Sequence, residues 1–159
     1  MEQVAQRFKR KLRSLYLQDA KTLKWVFADS HYWVALANPN DQWYQAAKNA
    51  EDALGDHGLI TTEGILTEFL GAYSGWGEHF RKIAIQGVRA ILNNPNVDVI
   101  PQTRELFLKG LGLYENREDK GYSLVDCCSM VVMKERNLTE ILTNDHHFEQ
   151  ERFTILIKG

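Results

Sequence analysis

The chain has 159 residues, 44% hydrophobic and 25% charged, and its 19 Lys+Arg against 21 Asp+Glu leave a formal charge of −2. That size and balance fit one domain around one core, and exclude a disordered charged tail, a histone-like binder and a coiled coil. The longest unbroken hydrophobic run, Tyr32 to Ala37, is too short to cross a bilayer, and no apolar stretch behind the basic N-terminus resembles a secretory signal, so a cytoplasmic protein without membrane contact is expected.

Residues 1–24 carry seven basic side chains against Glu2 and Asp19, and Val4, Phe8, Leu12 and Leu15 recur there at helical spacing. This predicts a basic amphipathic helical N-terminal extension, with the domain proper over residues 25–159. From Trp25 onward short apolar runs alternate with helix-patterned segments. Trp25 to Ala28 reads as a strand ending at Asp29, followed by a helix from Ser30 to about Ala37, which Asn38-Pro39-Asn40 breaks. Asp41 suits the N-cap of a helix running to about Leu54. Leu59 to Thr61 is a second strand and Thr62 caps a helix reaching Tyr73. Gly77 to Leu92 is a further helix, stopped by Asn93-Asn94-Pro95. Val97 to Ile100 is a third strand and leads into a helix near Gln102 to Glu115. After a charged loop over 116–121, Ser123 to Arg136 forms a helix. Glu140 to Leu142 is a fourth strand, Asp145 to Gln150 a helical turn, and Phe153 to Ile157 an edge strand. Such β–α alternation predicts an α/β fold, a mainly parallel sheet of four to five strands covered by helices on both faces.

The motifs that would signal other chemistries are missing. There is no GxGxxG, no GxxxxGK[ST], no GxSxG and no HExxH. Cys127 and Cys128 are adjacent, which excludes a disulfide between them and any CxxC spacing, and makes them core thiols. Carboxylates remain. In an open parallel sheet, ligands bind beyond the carboxyl ends of the strands, so acids placed just after strands are the first candidates. Asp29 follows the first strand directly and Asp145 follows the fourth after Thr143-Asn144. Glu68 lies on the helix after the second strand, with Gly64 and Gly71 on its face leaving room for a ligand to approach, and Glu63 as a nearby competitor. Asp126 sits at the start of the helix before the fourth strand, where Ser123 and Asp126 also spell a capping box. Four uncompensated carboxylates at one edge would repel strongly, and a bound divalent cation relieves that; oxygen ligands favour Mg²⁺ or Mn²⁺ over Zn²⁺.

These segments resemble the PIN-domain nucleases, specifically the VapC-like ribonuclease branch. The matching pieces are VFADSHYWVALAN with Asp29 and Ser30, TTEGILTEFL with Glu68, DKGYSLVDCCSMVVM with Asp126, and ILTNDHHFEQERF with Asp145, in the family's order and over about residues 25–157. The resemblance implies a three-layer α/β/α sandwich, Mg²⁺- or Mn²⁺-dependent cleavage of RNA by an activated water, and a homodimer inhibited by a small antitoxin protein. Asp29, Glu68, Asp126 and Asp145 would be the metal-holding catalytic acids, with Ser30 and Asp119 in supporting positions. Arg81, Lys82 and Arg89 on one helix, and Arg117 and Lys120 around Asp119, are candidates for contacting the RNA backbone. Trp43 and Trp76 are candidates for base stacking, whereas Trp25 and Trp33 fall on expected core positions. An alternative reading makes the chain a catalytically silent PIN-like subunit that acts on a protein partner, with the N-terminal helix as its contact.

Overall fold

Hydrophobic runs at the centre of one sheet organise the molecule. The computed structural model describes residues 23–159, so the helix expected over residues 1–24 lies outside the described residues apart from Leu23 and Lys24. Five strands, β1 (Lys24–Ala28), β2 (His57–Thr62), β3 (Val97–Ile100), β4 (Glu140–Leu142) and β5 (Thr154–Ile155), lie in the order β3-β2-β1-β4-β5 with every neighbouring pair parallel. Between them run α1 (Ser30–Ala37), α2 (Tyr44–Ala53), α3 (Glu63–Ala72), α4 (Gly77–Leu92), α5 (Arg104–Glu115), α6 (Leu124–Glu135) and α7 (His147–Gln150). The expected α/β/α sandwich is what forms, and its sheet is parallel throughout.

Strand order dictates the layers. The chain steps from β1 through β2 to β3 in one direction, then returns to β4 and β5 on the far side of β1. Right-handed crossovers put α1 to α4 on one face and α5 to α7 on the other. Accordingly α1 packs against α2, α3 and α4, while α5 packs against α6. Central strands buried on both faces read as continuous apolar runs: Val26, Phe27 and Ala28 of β1 and Leu59 of β2 are wholly buried, as are Trp33, Ile65, Phe69, Met130 and Met133 from the helices above and below. Two glycines serve packing. Gly58 pairs with Trp25 across β1 and β2, and a Cβ there would come 2.7 Å from the indole. A Cβ at Gly110 of α5 would collide with the sulfur of Cys128 on α6. Both cysteines are buried free thiols, as expected.

Local chemistry sets the helix starts. Thr62 accepts from the Ile65 amide at 3.1 Å and Thr103 from the Leu106 amide at 3.1 Å, and Ser123 forms the expected capping box with Asp126. Several boundaries differ from expectation: β2 runs over His57–Thr62 instead of Leu59 to Thr61, β5 only over Thr154–Ile155 instead of Phe153 to Ile157, and α7 starts at His147 instead of Asp145; two further differences have a visible cause. Asp41 does not cap a helix: its carboxylate accepts from the Trp43 amide at 2.8 Å, closing an Asx turn, and α2 begins only at Tyr44. β1 begins one residue early, at Lys24, whose ammonium meets Glu140 on β4.

Candidate active site

The strand order reverses between β1 and β4, and such a switch point opens a crevice beyond the strand ends. Asp29 sits there, immediately after β1, with its amide bonded to the Leu142 carbonyl at the end of β4 at 3.3 Å. It occupies the N-cap of α1, where an Asp side chain ordinarily accepts from a first-turn amide. Here it makes no cap bond. Its Oδ2 instead accepts from the Thr143 hydroxyl at 2.7 Å and lies 2.9 Å from His31 Nδ1. Its Oδ1 is buried with no hydrogen-bond partner, and the side chain as a whole is only 2% exposed. The Thr143 hydroxyl that donates to Asp29 also accepts from the Asp145 amide at 3.1 Å. One side chain thereby ties the ends of two neighbouring strands together and sets the separation of their acids.

The other two acids come from the two helix layers. Glu68, half-buried on α3, accepts from the Ser30 hydroxyl at 2.9 Å, so Ser30 holds a neighbouring carboxylate. Asp126, on α6, spends Oδ2 on the Ser123 amide at 2.7 Å; the capping box and a place in the acid cluster coexist because a carboxylate has two oxygens. The Asp145 carboxylate accepts from the His147 amide at 2.9 Å. Ligand atoms of Asp126, Asp145 and His147 all lie within 4.8 Å of one another.

The charges of these groups act on one another. Burial pushes the Glu68 carboxyl above its ordinary range, and the charges of Asp29 and Asp126 add to that push against the Ser30 hydrogen bond. Burial likewise raises Asp126, with Asp29 and Asp145 contributing and the Ser123 hydrogen bonds opposing. The hydrogen bond to Asp29 raises His31, and the charges of Asp29, Asp145 and Asp126 reinforce it. Four carboxylates thus share one field, a buried oxygen of the most enclosed one has no partner, and a divalent cation fits both conditions.

Other sequence candidates fall elsewhere. Glu63 is drawn away from the cluster, accepting from the Gln102 amide at 2.8 Å. Gly64 was expected to leave room for a ligand, but Gln102 and Val125 fill that side; Gly71 faces open space. Asp119 is exposed and pairs with Lys120 at 2.9 Å. The Arg117 guanidinium is engaged by Glu151 at 2.6 and 3.4 Å. Lys82 pairs with Glu78 at 2.5 Å, while Arg81 and Arg89 project exposed from α4, which packs over the β3 edge. Trp33 is fully buried, Trp25 and Trp43 pack against the core, and Trp76 is 58% exposed. Sequence reasoning passed over two polar residues of the site, His31 and Thr143, and weighed His147, together with His146, as a substrate contact against turn packing or simple exposure, never as a neighbour of the metal-holding acids. The signals were present, since His31 stands two residues after Asp29 and Thr143 and His147 bracket Asp145 by two residues on each side.

Residues 26–153 match the family described as the PIN domain. In fold the chain is similar to the crystal structure of Mycobacterium tuberculosis VapC20, described as a sarcin–ricin loop cleaving toxin, with a TM-score of 0.72 and 21% identity over 81% of this chain and 96% of that one. No curated protein matches the sequence.

Proposed function

The chain belongs to the PIN-domain family, and from that premise we propose that it is a divalent-metal-dependent endoribonuclease, the toxin of a toxin–antitoxin pair. The observation that carries the reading is the buried, unpartnered Oδ1 of Asp29 at the β1/β4 switch point, within the field of Glu68, Asp126 and Asp145. Those four acids would hold Mg²⁺ or Mn²⁺. When bound, such an ion would neutralise charge on the phosphate and lower the pKa of an attacking water. Asp29 presents Oδ1 because Thr143 and His31 occupy Oδ2. Ser30 fixes the Glu68 carboxylate, and Ser123 fixes Asp126 with one oxygen left over. His147 adds an imidazole beside Asp126 and Asp145, in a set that oxygen atoms dominate and that suits hard cations.

RNA is the proposed substrate because the segments around the four acids resemble the VapC-like ribonucleases, because a protein of the same fold is described as a sarcin–ricin loop cleaving toxin, and because a cation among the acids supplies the attraction for phosphate that an acidic domain lacks. Residues 1–24 carry a balance of +5 and residues 25–159 a balance of −7. A homodimer, an inhibitory antitoxin and a cytoplasmic location belong to the same proposal. Among the described residues no helix is long and apolar enough to cross a membrane. The test is cleavage of RNA by the full-length protein with Mg²⁺ or Mn²⁺. Asp29→Asn and Asp126→Asn should each abolish cleavage with the circular-dichroism spectrum unchanged; full activity in either variant, or in excess EDTA, would contradict the reading.

A further inference from the structure

Between the C-terminal end of α5 and the start of α6, a cavity of about 340 Å³ is lined by Tyr114, Glu115, Arg117, Glu118, Lys120 and Tyr122. One of its lining residues, Tyr122, links it to the acid cluster through a single ring contact. The Tyr122 ring meets the His147 ring edge-on at a centroid distance of 5.5 Å, and His147 is the imidazole beside Asp126 and Asp145. We propose that this cavity is a subsite for one unpaired nucleobase of the RNA, adjacent to the phosphate that the acids receive. The proposal rests on the ribonuclease reading above.

Size, surface and charge agree on that occupant. The volume lies at the lower end of small-molecule pockets, enough for one nucleotide and too little for a duplex. Proteins hold single-stranded bases by stacking them on aromatic rings and on guanidinium planes. Tyr114 offers an exposed ring on one wall, 50% accessible. Arg117 offers a fixed plane: Glu151 engages Nε at 2.6 Å and Nη2 at 3.4 Å, and the Asn116 carbonyl takes Nη1 at 3.2 Å. With donors committed around its edge, the guanidinium keeps its faces for stacking. Glu115 and Glu118 would repel a phosphate, yet carboxylates accept from the amino and imino groups of a base edge. Lys120, which pairs with Asp119 at 2.9 Å, supplies the cation for the phosphate that links this nucleotide to the next.

The test measures binding and cleavage separately. A short random-sequence single-stranded RNA carrying a fluorophore is titrated with the full-length protein in Ca²⁺, and the same RNA is cleaved in Mg²⁺ or Mn²⁺. Tyr114→Ala, at an exposed position, should weaken binding about tenfold, the effect of losing one stacked base, while Phe107→Ala, on the same helix and equally solvent-facing, should not. RNA carrying 4-thiouridine should crosslink to Tyr114 or Tyr122 on irradiation. Unchanged binding by Tyr114→Ala together with crosslinks only elsewhere would overturn the subsite, and so would failure of the wild type to bind single-stranded RNA. Cleavage with no dependence on Tyr114 would remove the subsite and leave the nuclease standing; Tyr114-dependent binding without cleavage would do the reverse.

Discussion

Two buried carboxylates in this molecule have opposite surroundings. Glu151, after α7, has a side chain 7% exposed and is met by Arg117 at 2.6 Å and Lys134 at 2.9 Å. Arg117 holds its carboxyl down at about 2, with Lys134 helping against burial. Asp29 is more deeply buried, yet no Lys or Arg among the described residues reaches it; its one basic neighbour there is the half-exposed imidazole of His31, and its Oδ1 has no partner. An acid that serves only the fold is neutralised by the protein's own cations. An acid left at a sheet switch point without Lys or Arg, and with one oxygen unpartnered, is a place where something else brings the charge.

That contrast breaks most visibly at Asp29 itself. Asp29→Asn keeps an oxygen for Thr143 and removes the uncompensated charge, so RNA cleavage should fall about a thousandfold or more while the melting temperature holds or rises; a large loss of stability would place Asp29 with Glu151 as a structural acid. Next comes Thr143→Val, which removes the hydroxyl joining Asp29 to the Asp145 amide. By analogy with the outer partners of metal ligands, activity should drop about 10- to 100-fold, read as kcat/KM at saturating metal, with circular dichroism reporting an intact fold.

At the compensated end, Glu151→Gln leaves Arg117 and Lys134 without their anion and should lower stability by about 1–3 kcal/mol, measured by denaturant titration at neutral pH. The acid dependence has a definite sign. Because the folded-state carboxyl is depressed, its contribution is fully present above the ordinary value of 4.5 and disappears as pH falls toward about 2; the wild type should lose stability through that window more steeply than Glu151→Gln. The smallest effect is the most discriminating. Millimolar Mn²⁺ should raise the melting temperature of the wild type and of Glu151→Gln by mass action, and that of Asp29→Asn much less.

The strands and most helix starts were legible in the sequence because their determinants are local: apolar runs such as Trp25 to Ala28, breakers such as Asn93-Asn94-Pro95, and caps at Thr62 and Ser123. α2 was misjudged because an Asp ahead of a helical pattern can close an Asx turn as readily as a cap, and the two differ only in which amide reaches the carboxylate. Asp29, Asp126 and Asp145 could be picked out because each stands near a strand end or helix start; Glu68, in the middle of α3, stood out only through its glycine neighbours and the family resemblance. Their partners could not, because the bond from Thr143 to Asp29 spans 114 residues and exists only once β4 lies beside β1. His147 was obscured for a related reason: its neighbour His146 has the same composition and spacing, and only the turn of α7 sends one ring to Glu149 and the other toward Asp126 and Asp145.

On the proposed function, the carboxylates at the β1/β4 switch lack a Lys or Arg partner because they hold a divalent cation. Anomalous diffraction from crystals of the protein soaked in Mn²⁺ tests it directly. A peak is expected among Asp29, Glu68, Asp126 and Asp145, about 2 Å from Asp29 Oδ1; crystals that take up Mn²⁺ elsewhere but show none among these four acids would contradict the metal site.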